Sequence, residues 1–264
     1  PGSRSTLEEA QDLKLRTLIA KLQVEPGMRI LEIGSGWGEL AVRLVRDHGC
    51  HVTTVTLSRQ QHAWVRERAT NIGIEASLDG RLQDYREVTG TFDRIVSVEM
   101  IEAVGHENLP LYFAKLESLL ARGGHAVIQA ITVPERNYAR YLRRTDWIQA
   151  HIFPGAVCPS ISAMLDAMAK GSRLVLRQLE DIGPHYARDL ANWRDRFLSA
   201  WPRLEALGFD DRFKRLWTYY LAYCQAGFSQ RKLGDVQMIL SRTAETGLVH
   251  TPQTSASVAA GGRS

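Results

Sequence analysis

The chain has 264 residues, 44% of them hydrophobic and 23% charged, with a formal net charge of +4. That length suits one large domain; the mild positive balance suits an anionic surface such as a phospholipid leaflet, and no nucleic-acid partner is expected. No apolar run approaches the ~20 residues of a spanning helix, charges throughout the first 25 residues read against a secretory leader, and Cys50, Cys158 and Cys224 at unrelated spacings point to a reducing, cytoplasmic setting rather than a disulfide framework or a zinc site.

Pro1-Gly2-Ser3 reads as a tag remnant. Leucines at helical spacing predict a helix over 7–22, with Thr6 as its cap and Glu8 and Glu9 in its first turn. Pro26-Gly27 is a turn, "RILEI" (29–33) a buried strand and 38–48 a helix. "HVTTVTL" (51–57) is a β-branched strand, after which Ser58 caps a helix over 59–71. A short strand near 76–82 precedes the buried strand "FDRIVSVEM" (92–100). A helix over 107–120 ends at Gly123-Gly124, and "HAVIQAITV" (125–133) is the next strand. Strands alternating with helices predict βαβ units and a mostly parallel sheet covered on both faces. Residues 4–250 read as one domain, and the small polar stretch 251–264 as a disordered tail.

Residues 134–200 read as an insertion. It mixes Tyr138, Tyr141, Trp147 and Phe153 with the basic pair Arg143-Arg144, and it carries an apolar helical face through Ile161, Met164, Leu165 and Met168. These would line a lipid tunnel, with the arginines meeting phosphates; from the residues alone an ordinary core helix beside a solvated cationic surface is the stronger reading.

"LEIGSGWGEL" (31–40) sets Gly34, Gly36 and Gly38 between the first strand and the helix that follows. Such a turn lies where ligands bind in an open α/β sheet, outside the carboxyl ends of the strands. Glycine there lets the backbone approach a ligand, and the following helix presents free N–H groups. The spacing is not the G-x-G-x-x-G of nicotinamide dehydrogenases, and no acidic residue ends the second strand. With Glu32 two positions ahead, the acidic-x-G-x-G-x-G form resembles the first motif of S-adenosylmethionine-dependent methyltransferases. Trp37 reads as a packing residue beside the loop. Cys50 with His48 and His51 straddles a turn and a strand start, which is poor metal-ligand geometry.

Further stretches occur in order: "TLSRQQ" (56–61), "LQDYRE" (82–87), "FDRIVSVEMIEAVGHE" (92–107), "HIFPGAVCPS" (151–160), "PHYARDLANW" (184–193) and "LWTYYLAYCQAGF" (216–228). Together with the glycine loop they resemble the cyclopropane-fatty-acid synthase family, which includes the mycolic-acid cyclopropane synthases, from about residue 5 to about residue 249. The resemblance implies a Rossmann-like methyltransferase fold with a seven-stranded, mostly parallel sheet and a helical insertion covering the acyl chain. It implies transfer of the methyl carbon of S-adenosylmethionine to the cis double bond of an unsaturated phospholipid acyl chain, closing a cyclopropane ring. It also implies a cytoplasmic protein peripherally attached to the membrane, and it allows a homodimer.

On this resemblance Glu32, Gly34, Ser35, Gly36 and Gly38 form the cofactor loop. Thr56, Leu57 and Gln61 take the place of the usual ribose-binding acid, although Gln61 alone reads equally as a solvated helix residue. Asp84 and Tyr85 fall where the family contacts adenine. Glu102, Tyr186, Gln129 and the backbone N–H of Ile131 fall where the family grips a bicarbonate ion, the base that removes the proton. Gln129 stands where many members have histidine, and it can donate a hydrogen bond without carrying charge. Glu99 stands where many cyclopropane synthases have glycine; it reads either as a base replacing bicarbonate or as a salt-bridged carboxylate beside the sheet. Cys224 matches a cysteine once proposed as catalytic, but methyl transfer to an alkene needs no thiolate, so packing is its expected role. The family's tyrosine–serine–cysteine–alanine lid segment lies upstream of "STLEEAQ" and is not in this sequence. Two alternatives stay open: a methylene or methyl branch formed through the same carbocation, and a non-catalytic fragment that binds cofactor or lipid.

Overall fold

The structure, a computed structural model, describes residues 6–242. The expected tag remnant and disordered tail lie outside the described residues. In chain order the elements are α1 (Leu7–Leu22), β1 (Arg29–Ile33), α2 (Glu39–Arg46), β2 (His51–Thr56), α3 (Arg59–Asn71), β3 (Leu78–Leu82), β4 (Phe92–Val98), α4 (Leu109–Leu119), β5 (Leu120–Thr132), α5 (Glu135–Tyr141), α6 (Trp147–His151), α7 (Ile161–Gly171), β6 (Leu174–Asp181), α8 (Gly183–Ser199), α9 (Trp201–Ala206), α10 (Asp211–Ser229) and β7 (Gly234–Arg242).

Local chemistry sets the boundaries. Thr6 and Glu9 form a reciprocal capping box at the start of α1, and the Ser58 hydroxyl accepts from the Gln61 N–H at the start of α3. The sheet order is β3-β2-β1-β4-β5-β7-β6, and β7 alone runs antiparallel to its neighbours. This is the expected mostly parallel seven-stranded sheet, with the strand reversal between β1 and β4 that opens a ligand crevice at their carboxyl ends.

Two apolar layers cover the sheet. On one face Leu18 and Leu22 of α1 pack with α2, α3, Val127 and Ile239. On the other, Tyr112, Phe113 and Leu116 of α4 pack with Met164 and Met168 of α7 and with Ile128 and Met238. A smaller cluster joins Leu190 of α8 to Leu221 and Phe228 of α10.

The stretch 134–200 is divided rather than inserted as one body. β6 is a strand of the main sheet, and α7 buries Met164 and Met168 in the core against α4. The face through Met164 and Met168 is therefore core, not tunnel lining, while Ile161 at the start of α7 is only partly buried. The physical reason is amphipathic spacing facing an apolar helix already on the sheet. The helices outside the sheet layers are α5 and α6, before α7, and α8, α9 and α10, between β6 and β7.

Candidate active site

The glycine loop leaves β1 with φ of 95° at Gly34, 49° at Gly36 and 80° at Gly38. Two of these glycines have different reasons. A Cβ on Gly38 would lie 2.9 Å from Val65 of α3, so close packing demands glycine there, whereas a Cβ on Gly36 would meet nothing within 4 Å. Gly36 thus presents bare backbone to open space, the geometry a ligand cradle needs. The N–H groups of Gly34 and Ser35 both donate to the Val55 carbonyl, which pins the loop to β2.

Around this loop the structure gathers the ends of β1, β2 and β3. Thr56 donates its hydroxyl to Gln61 Oε1 at 2.8 Å and accepts from the Ser58 N–H. Leu57 is 74% exposed at the rim. Asp84 caps its own turn: it accepts from the Arg86 N–H and pairs with the Arg86 guanidinium at 2.6 Å. That partner holds its carboxyl below the usual range, so Asp84 reaches an adenine amine only while still tied to Arg86. Tyr85 stands edge-on to Tyr112 at 5.6 Å. Glu32 differs from the rest. It lies buried within β1, level with Thr54 on β2, and accepts that hydroxyl at 2.5 Å. Burial pushes its pKa up to about 8. Trp37 is not a packing residue: it is 58% exposed and meets the exposed Trp64 edge-on at 6.2 Å. The loop's left-handed conformation turns it outward.

Beyond the loop lies a carboxylate cluster. Glu99 follows β4 directly and adopts φ of 50°, a left-handed conformation rare for a residue with a side chain. Its N–H donates to the Gln129 carbonyl at 2.9 Å, which carries the pairing of β4 with β5 one residue past the strand. Its carboxylate accepts from Gln129 Nε2 at 2.8 Å and from the Tyr186 hydroxyl at 2.7 Å. The next turn, Ile101–Ala103, brings Glu102 to the Ile131 N–H, which donates to Oε1 at 2.5 Å. The other oxygen, Oε2, is buried and has no partner. Burial, reinforced by the charge of Glu99, pushes Glu102 up to about 8.

Tyr186 enters from the first turn of α8, stacked on Phe228 of α10 at 4.6 Å with Trp193 edge-on. Its own ionisation is suppressed, first by burial and then by Glu99. Beside Phe228 a cavity of about 240 Å³ opens, lined in part by Val133, Ile161 and Leu233.

The sequence-expected Glu99, Glu102, Gln129, Ile131 and Tyr186 are therefore brought together. Cys224 is not among them: it packs in the α8–α10 cluster, where burial raises its thiol to about 12. The expected bicarbonate grip is also altered. Its donors are already taken, Tyr186 and Gln129 by Glu99 and the Ile131 N–H by Glu102. The residues present do not leave that ion its hydrogen bonds.

Asp235 escapes a sequence-only reading. Fully buried on β7, it accepts from the same Gln129 Nε2 at 2.8 Å, and its other oxygen has no partner. Burial, with Glu99 and Glu102 adding, raises it to about 9. The signal available was an acid at the head of the mostly apolar run "DVQMIL", which only Gln237 otherwise interrupts.

Comparison with known proteins identifies the family. Residues 2–238 match the family model described as mycolic acid cyclopropane synthetase. The chain is 42% identical over 236 residues to the tuberculostearic acid methyltransferase UfaA1 of Mycobacterium tuberculosis, covering 89% of this chain and 55% of that protein. It is 37% identical over 242 residues to the cyclopropane-fatty-acyl-phospholipid synthase of Escherichia coli, covering 92% and 60% respectively. The chain thus spans little more than half the length of these relatives. Among solved structures, the cyclopropane synthase MmaA2 of Mycobacterium tuberculosis matches with a TM-score of 0.84 at 27% identity, covering 91% of this chain and 87% of that one. The mycolic acid cyclopropane synthase CmaA1, complexed with SAH and CTAB, matches with a TM-score of 0.81 at 27% identity, covering 89% and 85%. The loop, the sheet and these matches place the chain in the mycolic acid cyclopropane synthetase family, with the Rossmann-like fold of S-adenosylmethionine-dependent methyltransferases.

Proposed function

We infer that this chain is the catalytic core of an S-adenosylmethionine-dependent methyltransferase acting on the cis double bond of an unsaturated phospholipid acyl chain. The observation that carries the reading is the Glu99 carboxylate, held by Tyr186 and Gln129 beside Glu102. Family membership and the names of the 42% and 37% identical relatives support it.

The open backbone at Gly36, the exposed Leu57 and the Thr56–Gln61 pair fit the cofactor. Bound S-adenosylmethionine supplies an electrophilic methyl carbon, which the alkene captures, leaving a cation on the acyl chain. Glu99 is the base in this reading. It replaces bicarbonate by taking that ion's donors, and it accepts a proton from the transferred methyl group. Tyr186 and Gln129 fix the carboxylate in position. Glu102, anchored by the Ile131 N–H, is pushed toward its neutral form by burial. The stacked rings of Tyr186 and Phe228 offer π faces and exclude water. Val133, Ile161, Leu233 and Phe228 give that cavity an apolar side suited to an acyl chain, while Glu135, Asp181 and Arg231 also line it.

Immediate proton loss closes a cyclopropane ring. One observation favours a second product, a methylene branch. A carboxylate bound to its own backbone and restrained by two donors cannot follow the methyl as a free ion can. The cation then has time for a 1,2-hydride shift from the methyl-bearing carbon to its neighbour, which moves the charge onto the more substituted carbon before Glu99 takes a methyl proton and leaves the methylene. Incubating the chain with 13C-methyl S-adenosylmethionine and oleoyl phospholipid vesicles, then recording proton NMR, distinguishes the readings. Upfield ring-methylene protons mark the ring and vinylidene protons the branch. Binding of S-adenosylhomocysteine with no labelled lipid would reduce the chain to a cofactor-binding fragment.

A face for the lipid surface lies on α6 and α10. Trp147 meets Tyr219 edge-on at 4.5 Å, with Tyr223 at 6.2 Å. The exposed Arg143 and Arg144 directly precede α6. No described helix is long and apolar enough to cross a membrane, so this face supports peripheral attachment.

A further inference from the structure

Behind the candidate site a row of polar side chains crosses three strands. Gln129 on β5 is level with Gln237 on β7, which is level with Glu180 on β6. Gln129 and Gln237 are fully buried, on a face otherwise covered by the apolar side chains of α1 and α2. The row is closed from α1 by Lys21, itself buried. Its ammonium donates to Gln237 Oε1 at 2.6 Å and to Glu180 Oε2 at 2.5 Å. Gln237 Nε2 donates to Gln129 Oε1 at 3.0 Å, and Gln129 Nε2 donates to both Glu99 and Asp235 at 2.8 Å.

The direction of this chain follows from its ends. An ammonium can only donate, so Gln237 must turn its oxygen to Lys21 and its nitrogen to Gln129. Gln129 must then accept with its oxygen and present its NH2 to the carboxylates. Were either amide reversed, a carbonyl oxygen would face another oxygen inside the protein, at the cost of a buried unsatisfied pair. Each bond also polarises the next among the buried Lys21, Gln237 and Gln129.

We propose that Lys21 and Gln237 are positioning residues for the reaction: through them α1 locks the Gln129 amide with its donor face toward Glu99. This rests on the reading of Glu99 as the base. It makes the far side of the sheet part of the site, although neither residue touches substrate or cofactor.

Gln237→Glu tests it, because the introduced carboxylate keeps Lys21 paired while removing the donor to Gln129 Oε1. The Gln129 amide is then driven to reverse and to aim its oxygen at Glu99. A merely structural role for Gln237, satisfying Lys21, predicts no loss. Positioning predicts retained S-adenosylhomocysteine affinity, with kcat down about tenfold or more. The reversed amide, facing oxygen to oxygen, also lowers the melting temperature somewhat, so the discriminating readout is a displaced infrared carboxylate band of Glu99, assigned by its absence in Glu99→Gln. The double variant Lys21→Met/Gln237→Leu, apolar at both positions, is expected to show the same loss of kcat. Wild-type kcat and an unmoved band in Gln237→Glu, with Glu99→Gln inactive, overturn the relay alone. Wild-type kcat in Glu99→Gln overturns the Glu99 reading and the relay with it.

Discussion

Tyr186 donates its hydroxyl to Glu99 Oε2 at 2.7 Å, joining the first turn of α8 to the carboxyl end of β4. The bond ties the helical layer that closes the site to the residue read as its base. Tyr186→Phe keeps the ring stacked on Phe228 and removes only the donor. Hydrogen bonds to charged groups contribute about 1.5–3 kcal/mol, so kcat is expected to fall roughly ten- to a hundredfold. S-adenosylhomocysteine affinity, measured by calorimetry, should be unchanged. Equal kcat in the two proteins would remove Tyr186 from the reaction.

Glu99 itself allows a sharper substitution. Its φ of 50° is a conformation that glycine adopts without strain, so Glu99→Gly should leave the melting temperature as high as in the wild type. The same change releases the Tyr186 and Gln129 donors. Activity is expected to fall in bicarbonate-free buffer and to return when bicarbonate is added, with the product moving toward the ring. Activity in Glu99→Gly that ignores bicarbonate would show that neither carboxylate is the base.

Gly36 and Gly38 should respond to alanine in opposite ways. At Gly38 the new methyl meets Val65 at 2.9 Å, so stability falls, and Val65→Ala should restore much of it. At Gly36 the new methyl enters open space. Its cost to the fold is the left-handed backbone, about 1 kcal/mol, while S-adenosylhomocysteine affinity should drop by far more than Gly38→Ala/Val65→Ala drops it. Paired melting and calorimetry measurements separate the two.

Glu32 gives the chain a pH signature away from the reaction. Burial raises its pKa to about 8, above the ordinary carboxyl value of about 4.3. The folded state therefore holds a proton that the unfolded state gives up between those values. The stabilisation is complete below the lower value and is lost as pH rises through the higher one, at about 1.4 kcal/mol per pH unit. Glu32→Gln keeps an acceptor for Thr54 and cannot ionise. Its denaturation midpoint should overtake that of the wild type as pH moves from 5 to 9. Parallel curves for the two proteins would place the Glu32 carboxyl in contact with water.

The first five strands were legible because their signals are local: β-branched runs, caps at Thr6 and Ser58, and a glycine loop between strand and helix; β6, inside the stretch read as an insertion, and β7 were not read from the residues, and the count of seven came from the resemblance. The glycine spacing likewise marked the cofactor crevice. What stayed hidden depends on long-range register. Lys21 reads as an ordinary cation in the last turn of α1, and only the alignment of β5, β7 and β6 shows it sealed over a polar row. Glu99 had two readings until its backbone turned left-handed and swung the carboxylate onto Tyr186, 87 positions away. The apolar face of α7 looked like tunnel lining because amphipathic spacing says that a helix has a buried side, not what covers it.

The aromatic–basic face on α6 and α10 carries the claim of lipid attachment. Tyr219, Tyr223 and Phe153 are exposed, yet Tyr219 and Tyr223 pack against Trp147 and Phe153 against Tyr220. Such rings sit at a headgroup boundary, apolar body inward and hydroxyl toward water. Each arginine near an anionic surface contributes about 1 kcal/mol, so Arg143→Glu/Arg144→Glu should weaken sedimentation with phosphatidylglycerol vesicles roughly tenfold or more, with the difference shrinking as salt rises. Tyr219→Ser/Tyr223→Ser should weaken it by an amount that salt does not screen. Turnover on a detergent-dispersed substrate should survive both changes, because neither touches Glu99 or its donors. Unaltered vesicle binding at low salt in both variants would move the membrane contact to another face of the molecule.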